Sequence, residues 1–459
     1  MDKITLLQKR KKQLFEAGKG VREDINSLID ENSFVELSSF SFSENEFYGE
    51  KAEGEGVVTG FATINDYPFY IVAQNPACLS GGVSKSNCEK IAKCLNQAEK
   101  TSTPVIYLLS SMGVRVGEGV NVLEGLAGLI LKASQLKGSI PQYLIVNGEV
   151  YGQISLLAGL CDFNFFIDKK STLAANSPLV ISAKNNKNLS KFDIGGAKGL
   201  DRANLASFTV KNFAEIKKTI FEVNEIISKP IIDCGEDLNL SLPALDKKAD
   251  GKTIKAVFDK EYAVELGASF CSEVKCYLAR VGGIAVAAVV FDGENGVELN
   301  ALNVRKLKDF AEFASCYELP YVTFVNTLGI SADISTNNSL VIREIGEYVS
   351  VLDCINTAKV SVVYGKAVGL GYTVFAAKSM GYDYCYAFAN SKIALFDSVQ
   401  GAEIEFSEEK KIDKNKLAEK YADENSDPIN AAKGGYIDNI IQPAFVKQYL
   451  IASLQMLLK

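Results

Sequence analysis

The sequence predicts an α/β protein built as two homologous halves, each a β-β-α spiral. Three observations carry that reading. Residues 104–119, PVIYLLSSMGVRVGEG, return at 320–330 as PYVTFVNTLGI, so that Pro104 answers Pro320 and Gly113 answers Gly329 at one offset of 216 residues. The helix-like runs ahead of them, CEKIAKCLNQAEK and NVRKLKDFAEFASCYE, keep the same spacing, Ile91 with Leu307 and Ala98 with Ala314. Each copy is a short apolar, β-rich run ending in small and polar residues at a glycine, the pattern of a buried strand opening into a loop of exposed backbone amides. A repeat this extended sets the architecture before any other signal. The 459 residues divide as 1–235 and 236–459, with the joining segment near 230–250.

In order along the chain, residues 1 to about 32 alternate charge and apolar groups as an amphipathic helical arm does, and 34–47 is a polar connector dotted with aromatics. Residues 54–75, GEGVVTGFATINDYPFYIVAQN, are β-rich with an Asn65-Asp66 turn, a hairpin signal. Its counterpart is 276–293, turning at Gly282-Gly283. Residues 76–87 form a loop with paired glycines at 81 and 82, and 122–137 read as a helix. A strand at 143–146, a small-residue turn at 147–152 and a buried helix to about Leu160 follow; residues 360–384 repeat that order. Short strands come next in each half. The charged run 405–428 is a solvated helical excursion before a closing helix from Ala444.

Composition excludes several functions. The chain is 47% hydrophobic and 23% charged with net charge −7, an ordinary core-forming balance without the basic stripe that nucleic acid requires. It has no histidine at all, which rules out Ser-His-Asp and Cys-His triads, histidine metal sites and imidazole acid–base catalysis. The ten cysteines are scattered, lack metal-ligand spacing and follow no signal peptide, so they read as reduced, small hydrophobes in a cytoplasmic protein. No apolar run approaches the length of a membrane span. No phosphate-binding GxxxxGK[ST] block is present, so ATP chemistry is not expected here.

Several blocks in order resemble one family, the carboxyltransferase subunits of biotin-dependent acyl-CoA carboxylases and decarboxylases, of the propionyl-CoA carboxylase beta and methylmalonyl-CoA decarboxylase alpha kind. They are FVEL at 34–37, GEGVVTGFATIN at 54–65, SSMGVRVGEG at 110–119 (DSGGARIQEG in the family), IGGAK at 194–198, TFVNTLG at 323–329 (FVDTPG), KAVGLGY at 366–372 (KAYGGAY) and the tail from Ala431. The resemblance covers nearly the whole chain. It implies tandem crotonase-like β-β-α spiral domains, the first on the acyl-CoA side and the second on the biotin side. It implies transfer of a carboxyl group between biotin and the carbon alpha to a CoA thioester, through oxyanions held by backbone N–H groups. Residue by residue, the loops at Gly113, Val114, Gly152 and Gln153 would hold the thioester, and those at Gly329, Ile330, Leu370 and Gly371 the biotin. Arg115, Lys198 and Thr373 would face substrate, Lys198 toward a CoA phosphate and Thr373 where acyl choice is tuned. The implied partners are a biotin carrier protein, since no biotinyl-lysine sequence occurs here, and a biotin carboxylase or membrane decarboxylase subunit. The implied assembly is a homo-dimer or hexamer.

The sequence departs from the family at the loops themselves. Gly-Gly-Ala becomes Met112-Gly113-Val114 and Gly152-Gln153-Ile154 in the first half, and Gly369-Leu370-Gly371 in the second; Asn326 and Leu328 replace an Asp and a Pro. None of these changes introduces proline, so every backbone donor survives. They nevertheless motivate a second function class, a catalytically silent structural or regulatory subunit paired with an active copy. A stand-alone enoyl-CoA hydratase or isomerase comes third, since no acid–base carboxylates are evident at these loops.

Overall fold

Asp2 starts the first helix by accepting the N–H groups of Ile4 and Thr5 on its carboxylate, a side-chain cap for α1 (Lys3–Ala17). The structure, a computed structural model, describes residues 2–41, 52–235, 237–406 and 413–458; parts of the expected connector (42–47) and of the charged excursion (407–412) lie outside the described residues. The expected arm breaks at Gly18 into α1 and α2 (Lys19–Leu28). The chain forms two units, Met1–Asn224 and Glu225–Lys459.

In the first unit, β1 (Val35–Leu37), β2 (Val57–Ile64) and β3 (Tyr67–Gln74) are antiparallel. The hairpin turns at Asn65 and Asp66, both left-handed (φ +47° and +67°), as a two-residue type I′ connection requires. From β3 onward the pairing is parallel. The intervening helices are α3 (Lys85–Thr101) before β4 (Val105–Ser111), then α4 (Val120–Leu136) before β5 (Gln142–Tyr151). After these come β6 (Phe163–Ile167), β7 (Thr172–Ala174), the short helices α5 (Pro178–Asn185), α6 (Lys191–Gly195) and α7 (Ala197–Asp201), β8 (Phe208–Val210) and α8 (Phe213–Ser228). The sheet order is β1-β2-β3-β4-β5-β6-β8, with β7 against the far end of β5. That last pairing overrides the turn expected at 147–152. Glu149–Tyr151 ladder onto Thr172–Ala174, so strand continues to Tyr151 and only a 3-10 turn, Gln153–Gly159, follows.

The second unit repeats this plan. Short helices α9 (Ala244–Lys247) and α10 (Gly251–Ile254) precede β9 (Ala263–Leu266) and the hairpin β10 (Val274–Val281)–β11 (Ile284–Phe291). Next come β12 (Val297–Leu299), α11 (Ala301–Cys316), β13 (Tyr321–Ile330), α12 (Ile334–Asn337), α13 (Val341–Asp353), β14 (Lys359–Val368) and α14 (Leu370–Phe375). The chain ends with β15 (Tyr384–Phe388), β16 (Lys392–Ala394), α15 (Ser398–Glu405), α16 (Lys414–Asn425), α17 (Pro428–Lys433), β17 (Asn439–Ile441) and α18 (Val446–Leu457). Read from β9, the order β9-β10-β11-β13-β14-β15-β17, with β16 on β14, follows that of the first sheet, and β12 on β13 is an added ninth strand. Residues 230–232, placed in a linker by sequence, attach to this hairpin: Pro230 accepts the N–H of Ala285 and Gly283 that of Ile232.

Alternation along β4 explains why the central strand is so apolar. Val105, Tyr107 and Leu109 face the cluster formed with Ile91, Leu95 and Ala98 of α3 and Leu126 and Leu129 of α4. Ile106 and Leu108, on the opposite face, are buried as well. A parallel sheet covered on both faces has no polar side to offer. Among the described residues no helix is long and apolar enough to cross a membrane.

Candidate functional site

At the C-terminal end of β4 the ladder is carried past the strand by one bridge, Val83 to Val114. Val83 donates to the Gly113 carbonyl (2.9 Å) and accepts from the Arg115 N–H (2.8 Å). In a parallel pairing, successive residues point their amides to opposite sides, so the Val114 N–H faces away from Val83, toward the end of β5. Gly113 itself is left-handed (φ +120°), and its N–H is taken by Ser111 Oγ at 3.2 Å. At the end of β5, the Gly152 N–H donates to the Ala174 carbonyl of β7. Gly152 (φ +78°) then turns the chain into the 3-10 turn, whose first N–H groups, Gln153 and Ile154, have no acceptor within the turn. The two loops meet: a Cβ on Gly152 would lie 3.7 Å from Gly113 Cα.

The second unit builds the same cradle. The Gly329 N–H is taken by Thr327 Oγ1 (3.1 Å), which in turn donates to Val297 of β12. The Ser331 N–H bonds Leu299, so Leu299 and Ile330 repeat the relation of Val83 to Val114, and the Ile330 N–H faces away from β12. The Gly369 N–H donates to Ala394 of β16, and Gly369 (φ +52°) launches α14, leaving Leu370 and Gly371 as its first unpaired donors. Here the loops press closer. A Cβ on Gly329 would stand 3.5 Å from the Gly371 nitrogen and 3.8 Å from that of Leu370, inside the space the amides enclose. A Cβ on Gly371 would meet Thr327 Cγ2 at 2.6 Å.

Among the residues singled out by sequence, Val114 and Gln153 with Gly113 and Gly152 come together in one unit, and Ile330, Leu370 and Gly371 with Gly329 in the other. Within each set the structure separates donors from hinges: Gly113, Gly152, Gly329 and Gly369 spend their N–H groups inside the fold. Arg115, expected toward substrate, is buried. Its guanidinium donates to Glu55 Oε1 (2.6 Å), the Glu55 carbonyl (3.2 Å) and the Gly82 carbonyl (3.1 Å). Glu118, three residues on, accepts the Lys85 N–H at the start of α3. Lys198 on α7 and Thr373 on α14 are exposed, and the Thr373 hydroxyl bonds the Gly369 carbonyl. Lys366, at the head of the second motif, pairs with Asp397.

Sequence reading missed the surroundings of the first cradle. Beside Met112 and Ser110 opens a cleft of about 400 Å³ lined by Lys169, Lys170, Lys191 and Glu149. Lys191 pairs with Glu149 (2.7 Å), and Lys170 donates to Asn147 (2.6 Å). The Lys169-Lys170 pair sits in the turn between β6 and β7, a placement visible only once β7 is known to return against β5. Cys88 and Cys94 are pushed up to about 12 by burial, so they remain thiols packed as hydrophobes. Among the described residues no group of three metal-ligating side chains converges.

Comparison with known proteins follows the same outline. The carboxyl transferase domain matches residues 13–459. The chain is 28% identical over 458 residues to methylmalonyl-CoA decarboxylase subunit alpha of Veillonella parvula, covering 95% of this chain and 89% of that one. It is 26% identical over 462 residues to the mitochondrial propionyl-CoA carboxylase beta chain of Homo sapiens, covering 95% and 85%. Among solved structures, transcarboxylase 12S, a hexamer with methylmalonyl-coenzyme A and methylmalonic acid bound, superposes with a TM-score of 0.91 at 22% identity, over 99% of this chain and 95% of that one. That likeness shows the fold, the two-sheet arrangement of crotonase-like carboxyltransferases.

Proposed function

This chain belongs to the carboxyl transferase domain family, and from that premise we propose that it moves a carboxyl group between biotin on a separate carrier protein and the α-carbon of an acyl-CoA. The observation that supports this most is the pair of amide cradles, one per unit, built on matching strand ends. The reaction places negative charge on two oxygens, the thioester oxygen as the α-carbon becomes an enolate, and the ureido oxygen of biotin. Backbone amides fixed by a sheet meet such charge with little reorganisation, and one donor of this kind contributes about 2.7–4 kcal/mol to the transition state. That also suits a chain without histidine.

In this reading Val114 with Gln153 and Ile154 hold the thioester oxygen, while Gly113 and Gly152 shape the loop. Biotin, when bound, supplies the nitrogen that carries the carboxyl group. Ile330 with Leu370 and Gly371 would hold its ureido oxygen, and the bare Cα atoms of Gly329 and Gly371 leave the space for it. The lysine-lined cleft beside Met112 suits the phosphates of CoA, because three ammonium groups attract a polyanion into a confined space. Propionyl- and methylmalonyl-CoA are the first esters to try, given the relatives' names, and Thr373 is the first residue to vary for selectivity. The acyl-CoA cradle of one subunit would serve the biotin cradle of another, making a homo-dimer the minimum active form. A biotin carboxylase or a membrane decarboxylase subunit would complete the system.

The test is transfer of labelled carboxyl between the protein's own biotin carrier and malonyl-, methylmalonyl- or glutaconyl-CoA by the assembled oligomer. Exchange with any one of them is the expected result. No exchange with all three would replace this reading by the silent-subunit one, which draws on the bulk of Met112, Gln153 and Leu370, all exposed at the cradles.

A further inference from the structure

Behind the first glycine loop lies a polar cluster that the transfer chemistry does not use. Gly54, Glu55 and Gly56 are all left-handed, at φ +60°, +59° and +67°. Glycine adopts this freely, but a glutamate there costs roughly 1–2 kcal/mol and needs its surroundings to hold it. The Glu55 carboxylate, fully buried, accepts from Arg115 Nη1 and from Ser84 Oγ, each at 2.6 Å. Its carbonyl accepts from Arg115 Nη2 (3.2 Å) and Asn87 Nδ2 (3.0 Å). Arg115 also holds the Gly82 carbonyl through Nε, and its own N–H closes the Val83 bridge. One guanidinium thus ties the 54–56 turn and the 76–84 loop to the residue that follows Val114.

The second unit provides an internal control. At the same offset of 216 residues, Cys271 stands for Glu55 and is also left-handed (φ +45°). Lys306 stands for Lys90: Lys90 Nζ donates to the Gly54 and Val57 carbonyls, and Lys306 Nζ to those of Gly267, Phe270 and Cys271. Asn303 stands for Asn87. The central left-handed residue, the lysine and the asparagine recur, but the ion pair does not, because Cys271 and Ser331 stand for Glu55 and Arg115. The turn therefore closes without a Glu–Arg pair. Burying two charges costs several kcal/mol of desolvation, so the pair is not an economical way to stabilise a fold that its own repeat builds without it.

We propose that Glu55 and Arg115 are positioning residues that fix the Val114 amide at the first cradle, an inference that rests on Val114 acting as a donor to the thioester oxygen. Neither side chain touches substrate. The pair acts by holding a loop whose amide direction must be right within a fraction of an ångström when charge develops.

Glu55→Gln keeps the shape and removes the charge, and Arg115→Lys keeps the charge and loses the fork. The control is Ile220→Val, buried in the same unit but outside the core cluster beneath the loop. In assembled protein with its biotin carrier, Glu55→Gln should lower kcat by about 10- to 100-fold, with KM for the acyl-CoA within about twofold, the signature of an interaction felt only in the transition state. Arg115→Lys should fall between Glu55→Gln and wild type, while Ile220→Val leaves kcat unchanged. A kcat for Glu55→Gln no lower than that of Ile220→Val would overturn the proposal. If wild-type protein transfers nothing, the functional reading fails separately, and the positioning role is read from hydrogen exchange over residues 112–119. There Glu55→Gln should exchange at least about tenfold faster than wild type and control. Equal exchange would overturn it.

Discussion

The two units are one plan executed with different materials. Each ends its central strand at a left-handed glycine whose N–H is taken by the hydroxyl two residues earlier, Ser111 in one and Thr327 in the other. Each turns its next strand at a second glycine and exposes the first amides of a helical turn. They differ in what stands around the amides. The first unit places Ile154, buried, where the second places Gly371, and it anchors its loop with a buried ion pair where the second has Ser331 bonded to Asp333. The backbone geometry is thus what the repeat preserves. The side chains adapt one cradle to a ligand entering past a lysine-lined cleft, and leave the other open enough for a ring system, in the reading proposed above.

The strongest way to break this comparison is to exchange the side chains at the matched position. Gly371→Ile would drive a Cβ against Thr327 and the Gly329 amide, and transfer should fall by about a thousandfold or more. Ile154→Ala should leave transfer largely intact and cost about 2–5 kcal/mol of stability, since only a buried aliphatic group is lost. Similar phenotypes for both would mean the cradles are not differentiated as described. Removing one donor from each side comes next. Proline is tolerated at the first position of a helical turn, so Gln153→Pro and Leu370→Pro delete an N–H without breaking the element, and each should lower kcat by about a hundredfold. A loss confined to one variant would show that only one cradle carries charge in the rate-limiting step.

A smaller effect is expected at the cleft. Lys169→Glu with Lys170→Glu should raise KM for the acyl-CoA by about tenfold, and more at low salt, with kcat unchanged. An unaltered KM would place the CoA phosphates elsewhere. The smallest effect concerns the repeated lysine. Burial holds the Lys90 ammonium down at about 8 instead of 10.5. Between those values the unfolded chain binds more protons than the folded one, so this residue makes stability rise with pH across that window, by up to about 3 kcal/mol. Unfolding free energies of wild type and Lys90→Met, compared at pH 7.5 and 10, should shift relative to each other in favour of the wild type as pH rises, by up to about 3 kcal/mol. Parallel curves would show that the lysine stays charged among its carbonyls.

The sequence by itself determined the repeat, its offset, the hairpins at Asn65-Asp66 and Gly282-Gly283, and the glycines that mark both cradles. Periodicity and glycine report local backbone demands, and those survive translation along the chain unchanged. Absence is equally legible: the lack of histidine excludes imidazole acid–base catalysis and histidine metal sites. Tertiary structure alone decided which amides are available. Gly152 and Gly329 both stand among the candidate loop residues; the Gly329 N–H is taken within its own motif by Thr327, but the Gly152 N–H goes to Ala174 of β7, outside the motif, where no local pattern encodes it. The same holds for Arg115, whose partner Glu55 lies 60 residues away. The extension of β5 to Tyr151 likewise depended on β7 returning to pair with it. Long-range pairing assigns each polar group its partner, and only the folded chain brings those partners within reach.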